Sequence, residues 1–205
     1  MELREALCQI SEIRQQMART EVFRGYRSLT VATSGLLAVL AAVFQSSFVV
    51  APFGALESYL TLWISVAALS AALAAGEMWW RSRSSGSAIA RQMTLLAIEQ
   101  FLPSIAVGAL LTLSIYRVAP DVAWMLPGLW SLVFSLGVFA SYRLLPRQVF
   151  WVGLYYVVCG VGCLTWGQGA NALSPWQMGI SFGGGQLLTA AILYWTLERA
   201  DACQE

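Results

Sequence analysis

Six apolar runs, each as long as a membrane span, constrain this chain more than any other feature of its sequence. An α-helix needs about 20 predominantly apolar residues to cross the hydrocarbon core of a bilayer. Lipid offers no hydrogen-bond partners, so the backbone groups of each run must be satisfied within it, as they are in a helix. The sequence therefore predicts an all-α, polytopic membrane protein, a bundle of six transmembrane helices at about 29–50, 58–80, 93–116, 122–142, 148–168 and 176–197.

The composition agrees with this class. Hydrophobic residues make up 58% of the 205 residues and charged residues only 11%, whereas soluble domains usually carry about a quarter charged residues. The net charge is +1, which gives no electrostatic basis for binding nucleic acid. We therefore expect the lipid bilayer, and no nucleic acid, to be a partner of this chain.

Two residue types are missing, and their absence excludes several kinds of chemistry. Without histidine there is no histidine-ligated haem or zinc and no serine–histidine pair. Without lysine there is no Schiff base and no phosphate-binding loop of the Walker type. We therefore expect a protein that is not an enzyme and that holds no metal and no cofactor.

The cysteines do not change this expectation. The spacing of Cys8, Cys159, Cys163 and Cys203 does not resemble a disulfide framework. Cys159 and Cys163 are one helical turn apart and could bind a soft metal ion. No histidine or third nearby cysteine completes such a site, so packing is the preferred interpretation for the pair.

The arginines predict the orientation of the bundle. Eleven of the twelve fall in segments that lie on one side of the predicted spans: Arg4, Arg14, Arg19, Arg24, Arg27, Arg81, Arg83, Arg91, Arg143, Arg147 and Arg199. Only Arg117 falls on the other side. Cytoplasmic loops carry an excess of basic residues, so we expect a multi-pass protein of the inner (cytoplasmic) membrane with both termini in the cytoplasm.

The chain divides into three parts around the bundle. Residues 1–28 are predicted to form a cytoplasmic or interfacial amphipathic helix, because apolar residues recur there at helical spacing: Leu3, Leu7, Ile10, Ile13 and Met17. Residues 29–197 form the six-helix bundle, and residues 198–205 a short cytoplasmic tail. The N-terminal helix either lies at the interface and orients the first span or docks a partner, which is a second copy of the chain or a cytoplasmic protein.

Glu99 and Gln100 interrupt the third apolar run. Glu99 lies about seven residues into that run, roughly 10 Å deep at 1.5 Å per residue. A carboxylate at such depth is costly, so we expect it to face the bundle interior or a wet cavity. Pro103 removes the hydrogen bond to the Glu99 carbonyl and predicts a kink there. Glu99 is either structural or a proton or cation site.

The sixth run is rich in glycine. Its sequence GISFG, Gly179 to Gly183, matches the G-x-S-x-G nucleophile elbow, but that motif needs a strand-to-helix turn and a histidine base. We interpret Gly179 and Gly183 instead as a GxxxG pair, which lets two helices approach closely. Together Gly183, Gly184 and Gly185 could also loosen or break the helix.

A second small-residue pattern lies in the second run. Ala68, Ala72 and Gly76 are spaced four apart, which predicts a seam for contact with another helix. Glu77 follows this seam, one turn from the predicted cytoplasmic end of the span. We expect its carboxylate to be solvated or paired with an arginine.

Six spans with both ends inside can divide into two inverted halves of three. The third and sixth runs then correspond, and both are interrupted at similar depth, which is typical of a central transporter site. The leading hypothesis is therefore binding or transport of a small solute or proton at Glu99, Gln100 and Gln186, with the helix kinked or broken at Pro103, Gly183, Gly184 and Gly185. The alternative is a regulatory, sensory or assembly protein that docks a cytoplasmic partner through its N-terminal helix.

Overall fold

The computed structural model describes residues 28–48, 56–84, 88–141 and 147–198. Every regular element in these ranges is a helix, so the predicted all-α class is confirmed for this part of the chain. The predicted amphipathic helix ahead of residue 28 and the tail beyond residue 198 lie outside the described residues.

Seven α-helices make up most of the described chain. They are α1 (Ser28–Phe48), α2 (Leu56–Ser84), α3 (Ala88–Val118), α4 (Leu126–Ala140), α5 (Val149–Trp166), α6 (Pro175–Met178) and α7 (Gly185–Leu193). A short 3-10 helix, Pro120–Met125, leads directly into α4, and a second, Gly169–Asn171, lies between α5 and α6. Two π-helices, Gly179–Gly184 and Tyr194–Glu198, follow α6 and α7.

Five helical segments of the described chain are long and apolar enough to cross a membrane. They are Ser28–Ser47, Leu56–Glu77, Ile98–Val118, Pro120–Ala140 and Val149–Trp166. Their length and composition match what the hydrocarbon core of a bilayer requires.

The sixth predicted span is not one uniform helix. The stretch from Pro175 to Glu198, here called the C-terminal segment, is helical throughout but alternates between α- and π-helical turns. A π-helix bonds each amide to the carbonyl five residues back and therefore widens the turn. The first wide turn contains Gly183 and Gly184, and α7 begins at Gly185.

The helices pack as a ring that follows the chain order. α4 packs against α3 and α5, and α5 packs against the C-terminal segment. The C-terminal segment in turn packs along α1, which also contacts α2. The contact between α2 and α3 is slight.

Three groups of buried side chains hold the ring together, and the smallest joins α1 to α7 through Val31, Ala190 and Leu193. Tyr59 and Trp63 of α2 pack with Leu126, Met178 and Ala42 in one half of the bundle. A second group joins α4 to α5 through Val138, Val149, Val152 and Tyr156. Because lipid tails are as apolar as these side chains, such groups stabilise the bundle through close packing and not through removal of apolar surface from water.

Candidate functional site

Glu99 lies on the outer surface of α3. Its side chain is exposed, and no residue of the span Ile98–Val118 is buried by the rest of the chain. The sequence predicts that Glu99 faces the bundle interior or a wet cavity, and its side chain lies outside the packed interior of the described residues. The stretch of α3 that is long and apolar enough to cross a membrane begins at Ile98, one residue before Glu99.

Gln100 and Gln186, the other two predicted site residues, lie on different helices. Gln100 of α3 is half-buried, and its buried Oε1 accepts no hydrogen bond from the described residues. Gln186 of α7 is half-buried and faces α1, since a Cβ placed on Gly35 would lie 3.1 Å from the Cβ of Gln186. Within the described residues, no hydrogen bond joins these side chains to each other or to Glu99.

Aromatic rings fill the bundle interior beside Gln100. Phe101 of α3 meets Phe134 of α4 with 5.0 Å between ring centroids, and Phe134 meets Tyr156 of α5 at 4.7 Å. Tyr156 meets Phe182 of the C-terminal segment at 5.5 Å. This interior is packed and apolar, as the quadrupoles of tilted rings favour.

Pro103 does not interrupt the helical assignment of α3. The helix runs from Ala88 to Val118 with Pro103 inside it, and Pro103 is exposed. A proline inside a helix removes one backbone hydrogen bond. The carbonyl that loses its donor is that of Glu99. Both Glu99 and Pro103 lie on the outside of the bundle, so the proline ring does not disturb interior packing.

The predicted glycine pair of the sixth run touches α1. A Cβ placed on Gly179 would lie 2.8 Å from the Cβ of Ala42, and one placed on Gly183 would lie 2.7 Å from Val39 Cγ2. Real Cβ atoms do not approach so closely, so only glycine permits this spacing of the two backbones. Gly179 and Gly183 are thus helix-contact positions, as small residues four apart commonly are.

Gly184 and Gly185 face α5 instead. A Cβ on Gly184 would collide with the hydroxyl of Tyr155, and one on Gly185 would collide with the ring of Tyr156. The Tyr155 hydroxyl donates a 2.6 Å hydrogen bond to the carbonyl of Ile180, inside the π-helix. The tyrosine thereby binds a carbonyl of the widened turn.

The sequence interpretation missed a buried polar bridge. Gln45 of α1 is only 5% exposed, yet its Oε1 accepts a 2.8 Å hydrogen bond from the indole of Trp63, and its Nε2 donates one of 3.1 Å to the carbonyl of Leu173. Both ends of the amide are therefore satisfied. A lone glutamine late in an apolar run was the signal that could have indicated this bridge.

Glu77 has a partner that the sequence did not predict. The hydroxyl of Thr30, on α1, donates a hydrogen bond to the Glu77 carboxylate. The contact joins α1 to α2 at the end of the span where the sequence places the cytoplasm. The sequence predicts that the Glu77 carboxylate is solvated or paired with an arginine, and it gives no indication of the Thr30 hydroxyl as a partner.

The small-residue seam of α2 faces away from the bundle. The buried side of this helix carries Tyr59 and Trp63. Thr61 and Ser65 lie two residues further along, about 200° around the helix at 3.6 residues per turn. Six positions on the side opposite these rings are small or hydroxyl-bearing and exposed, and together they are called the α2 outer face: Ser58, Thr61, Ser65, Ala68, Ala72 and Gly76.

The α2 outer face has no partner in the described part of the chain. A Cβ placed on Gly76 would meet nothing within 4 Å. The hydroxyls of Ser58, Thr61 and Ser65 form no hydrogen bond with any described residue. By contrast, the hydroxyls of Thr112 and Ser131 bond back to carbonyls of their own helices, at 2.7 and 2.9 Å.

A shallow groove lies at one end of this face. It is lined by Glu57, Ser58, Thr61, Leu62 and Ser65. The hydroxyl of Tyr116, at the end of α3, donates a 2.9 Å hydrogen bond to Glu57 Oε1. The carboxylate is thus held at the rim of the groove, between the ends of two spans.

The cysteine pair does not extend into a larger group of ligands. Cys159 and Cys163 are both half-buried on α5. No group of three histidine, cysteine, aspartate or glutamate side chains that could hold a metal ion occurs among the described residues. The Cys163 thiol lies 4.0 Å from the carbonyl of Gln177, a packing contact between α5 and α6.

Comparison with known proteins gives no relative. No protein-family model, no curated protein and no solved structure matches this chain.

Proposed function

We propose that this chain is a non-enzymatic membrane protein of assembly or regulation, which binds another membrane-embedded helix through the α2 outer face. The observation that carries the proposal is the composition of this face. The outward sides of the other long helices carry large apolar residues, such as Leu36 and Leu40 on α1, Leu110 on α3 and Val158 on α5. Such side chains suit contact with lipid tails.

Small residues at the same depth suit contact with protein. Lipid supplies no hydrophobic force for association, so helices in a membrane join through close packing and interhelical hydrogen bonds. Ala68, Ala72 and Gly76 let a second backbone approach closely. Ser58, Thr61 and Ser65 offer hydroxyls that no described residue uses.

The slight contact between α2 and α3 leaves much of α2 exposed, which supports the same proposal. Larger side chains on the flanks of α2, Ile64, Leu69 and Leu73, are also exposed. A partner helix seated on the outer face would find ridges on both sides of a flat floor. This is the arrangement that ridges-into-grooves packing uses.

The proposal includes the orientation that the sequence predicts. The chain crosses the inner membrane six times, with the C-terminal segment as the sixth span and both termini in the cytoplasm. The arginine distribution supports this orientation. The helical stretch from Pro175 to Glu198 supports the sixth crossing, because 24 residues rising about 1.5 Å each cover about 36 Å.

Photo-crosslinking tests the proposal. A photoreactive side chain is placed at Ala68 on the α2 outer face, and the matched control carries it at Leu40 on the outward side of α1. Irradiation of native membranes is expected to give a discrete protein adduct from Ala68 that Ala72→Leu abolishes. Lipid adducts alone from Ala68, as from Leu40, would contradict the proposal.

A solute or proton site near Glu99, Gln100 and Gln186 is the second candidate function. The buried, unpartnered Oε1 of Gln100 next to the exposed carboxyl of Glu99 favours it. The π-helix ahead of Gln186 also favours it, because such turns are frequent at functional sites. The interior beside Gln100, however, is filled with packed aromatic rings. This packing favours the association function over a solute site.

A further inference from the structure

We infer that Tyr59 of α2 and Gln177 of α6 form a binding site for the hydroxyl group of a small neutral solute, and that residues 167–174, which connect α5 to α6, close this site. The site lies inside the chain and not on the α2 outer face, so it is independent of the proposed association function. Its two polar atoms are buried, share a neighbour on α5 and lie next to a strained stretch of backbone.

The hydroxyl of Tyr59 is buried without a hydrogen-bond partner. Tyr59 is only 2% exposed, and its Oη forms no hydrogen bond with any described residue. The rings of Trp63 and Trp130 lie beside it, each with its centroid 6.3 Å away. Their indole N–H groups donate elsewhere, to Gln45 and Thr112. Buried polar groups in folded proteins normally have a partner, so this hydroxyl points to a ligand that supplies one.

Gln177 contributes a second buried atom of this kind. Its Nε2 donates a 2.7 Å hydrogen bond to the carbonyl of Asn171, which fixes the orientation of the amide. Its Oε1 is buried and accepts no hydrogen bond from the part of the chain that the structure describes. Because Nε2 is used by the backbone, Oε1 is left for a donor from outside the chain.

Cys163 of α5 lies near both residues. Its thiol is 4.0 Å from the carbonyl of Gln177, and it is close enough to the Tyr59 hydroxyl for the two groups to interact electrostatically. Met178, which follows Gln177, packs in the same buried cluster as Tyr59. The two unpartnered atoms, one from α2 and one from α6, therefore lie around the same turn of α5.

A hydroxyl group satisfies both atoms at once. The Tyr59 hydroxyl can donate a hydrogen bond, whereas Oε1 of Gln177 can only accept one. A hydroxyl oxygen between them accepts from the first and donates to the second. No charged side chain is buried in the described residues, so a charged solute would be buried without a partner, which is costly. The site therefore fits a neutral alcohol or another small solute that carries a hydroxyl.

Residues 167–174 form the entry to this site. Leu173 has a φ of 54°, in the left-handed region that bulky side chains rarely adopt. Its carbonyl accepts the hydrogen bond from Gln45, and its side chain packs against the cluster that contains Tyr59. Strained residues of this kind cluster at ligand clamps and switch regions. Part of the connection is exposed, so its opening would admit a solute from the surface.

Photolabelling with a small alcohol tests the site. The probe is a short alcohol that carries a diazirine, and its methyl ether, which cannot donate a hydrogen bond, is the matched control. Each is irradiated with the full-length protein in native-lipid nanodiscs, and mass spectrometry locates the adducts. We expect the alcohol to label residues around Tyr59, Cys163 and Gln177. The ether is expected to label them about tenfold less, because one hydrogen bond is lost.

Substitutions separate a specific site from partitioning of the alcohol into the bilayer. Tyr59→Phe keeps the ring and removes only the hydroxyl, and Gln177→Met removes Oε1 at similar side-chain length. Each is expected to reduce the adduct at Cys163 about tenfold. Tyr194→Phe changes an exposed tyrosine and is expected to leave the adduct unchanged. Thermal melts verify that each variant is folded, and Tyr59→Phe alone decides the test if Gln177→Met is not.

Equal labelling by the alcohol and the ether would overturn the inference, since it would show that no solute hydroxyl is recognised and that water alone meets these atoms. An adduct at Cys163 that Tyr59→Phe does not reduce would overturn it as well. Leu173→Gly tests the entry, because it relieves the left-handed backbone and removes the side chain that packs on the cluster. Labelling is expected to become faster, and an unchanged rate would contradict residues 167–174 as the entry.

Discussion

The indole Nε1 of Trp63 donates a 2.8 Å hydrogen bond to Oε1 of Gln45, and both side chains are buried. This bond connects α1 to α2 inside an otherwise apolar cluster. The other end of the Gln45 amide reaches the carbonyl of Leu173. One side chain therefore links two spans and the connection that precedes the C-terminal segment.

Replacing Gln45 is expected to destabilise the bundle strongly. Gln45→Leu leaves the buried Trp63 indole without an acceptor, and an unsatisfied buried group costs about 1–3 kcal/mol. Trp63→Phe removes the donor as well. Thermal melts in detergent of the two single variants and the double variant are expected to show a double-variant loss smaller than the sum. Strict additivity would show that the bond contributes nothing.

Gly183 and Gly108 form a matched pair of substitutions. Gly183→Leu forces a side chain against Val39 of α1, and overpacking of this kind typically costs about 1–3 kcal/mol. Gly108→Leu places the same side chain where a Cβ meets nothing within 4 Å. The melting temperature of the first variant is expected to fall and that of the second to remain unchanged. Equal melting temperatures would mean that α1 does not lie against Gly183.

Tyr155→Phe tests what stabilises the first π-helix. The variant loses the hydroxyl that bonds the Ile180 carbonyl, a contribution of about 0.5–1.5 kcal/mol. We expect faster hydrogen exchange of the amides in residues 179–185, with little change in α3. Tyr194→Phe is the control, because Tyr194 is exposed. Unchanged exchange in Tyr155→Phe would show that the wide turn is stable without the tyrosine.

Glu99→Gln separates the two interpretations of this carboxyl. Because Glu99 is exposed at the edge of the α3 span, we expect the free energy of unfolding of the variant to differ from that of the wild-type protein by less than about 0.5 kcal/mol, as for most surface substitutions. If the solute or proton site is correct, a pH-dependent response of the wild-type protein disappears in this variant. A loss of about 3–5 kcal/mol would instead identify one half of a buried ion pair.

Much of the architecture follows from the sequence, because span length and helical class depend on local properties. The small-residue seam at Ala68, Ala72 and Gly76 was visible for the same reason. The direction in which it points was not, because this depends on which side of α2 carries Tyr59 and Trp63 into the core. Residue spacing alone does not show which of two faces of a helix points into the core.

The predicted site depended on tertiary arrangement and was harder to derive. The exposure of Glu99 depends on which side of α3 packs against α4, and residue spacing alone does not give that side. The hydroxyl that bonds the Ile180 carbonyl within the wide turn comes from Tyr155 on another helix, which no local pattern encodes. Gln45 was overlooked because one amide in an apolar run is also compatible with a surface position.

The central claim is that the α2 outer face touches protein in the membrane. A nitroxide spin label at Ala68, compared with one at Leu40, measures this directly through its collision rate with dissolved oxygen, which concentrates in lipid tails. In native-lipid vesicles we expect low oxygen accessibility at Ala68 and high accessibility at Leu40. Equally high accessibility at both positions would show that α2 faces lipid and would contradict the claim.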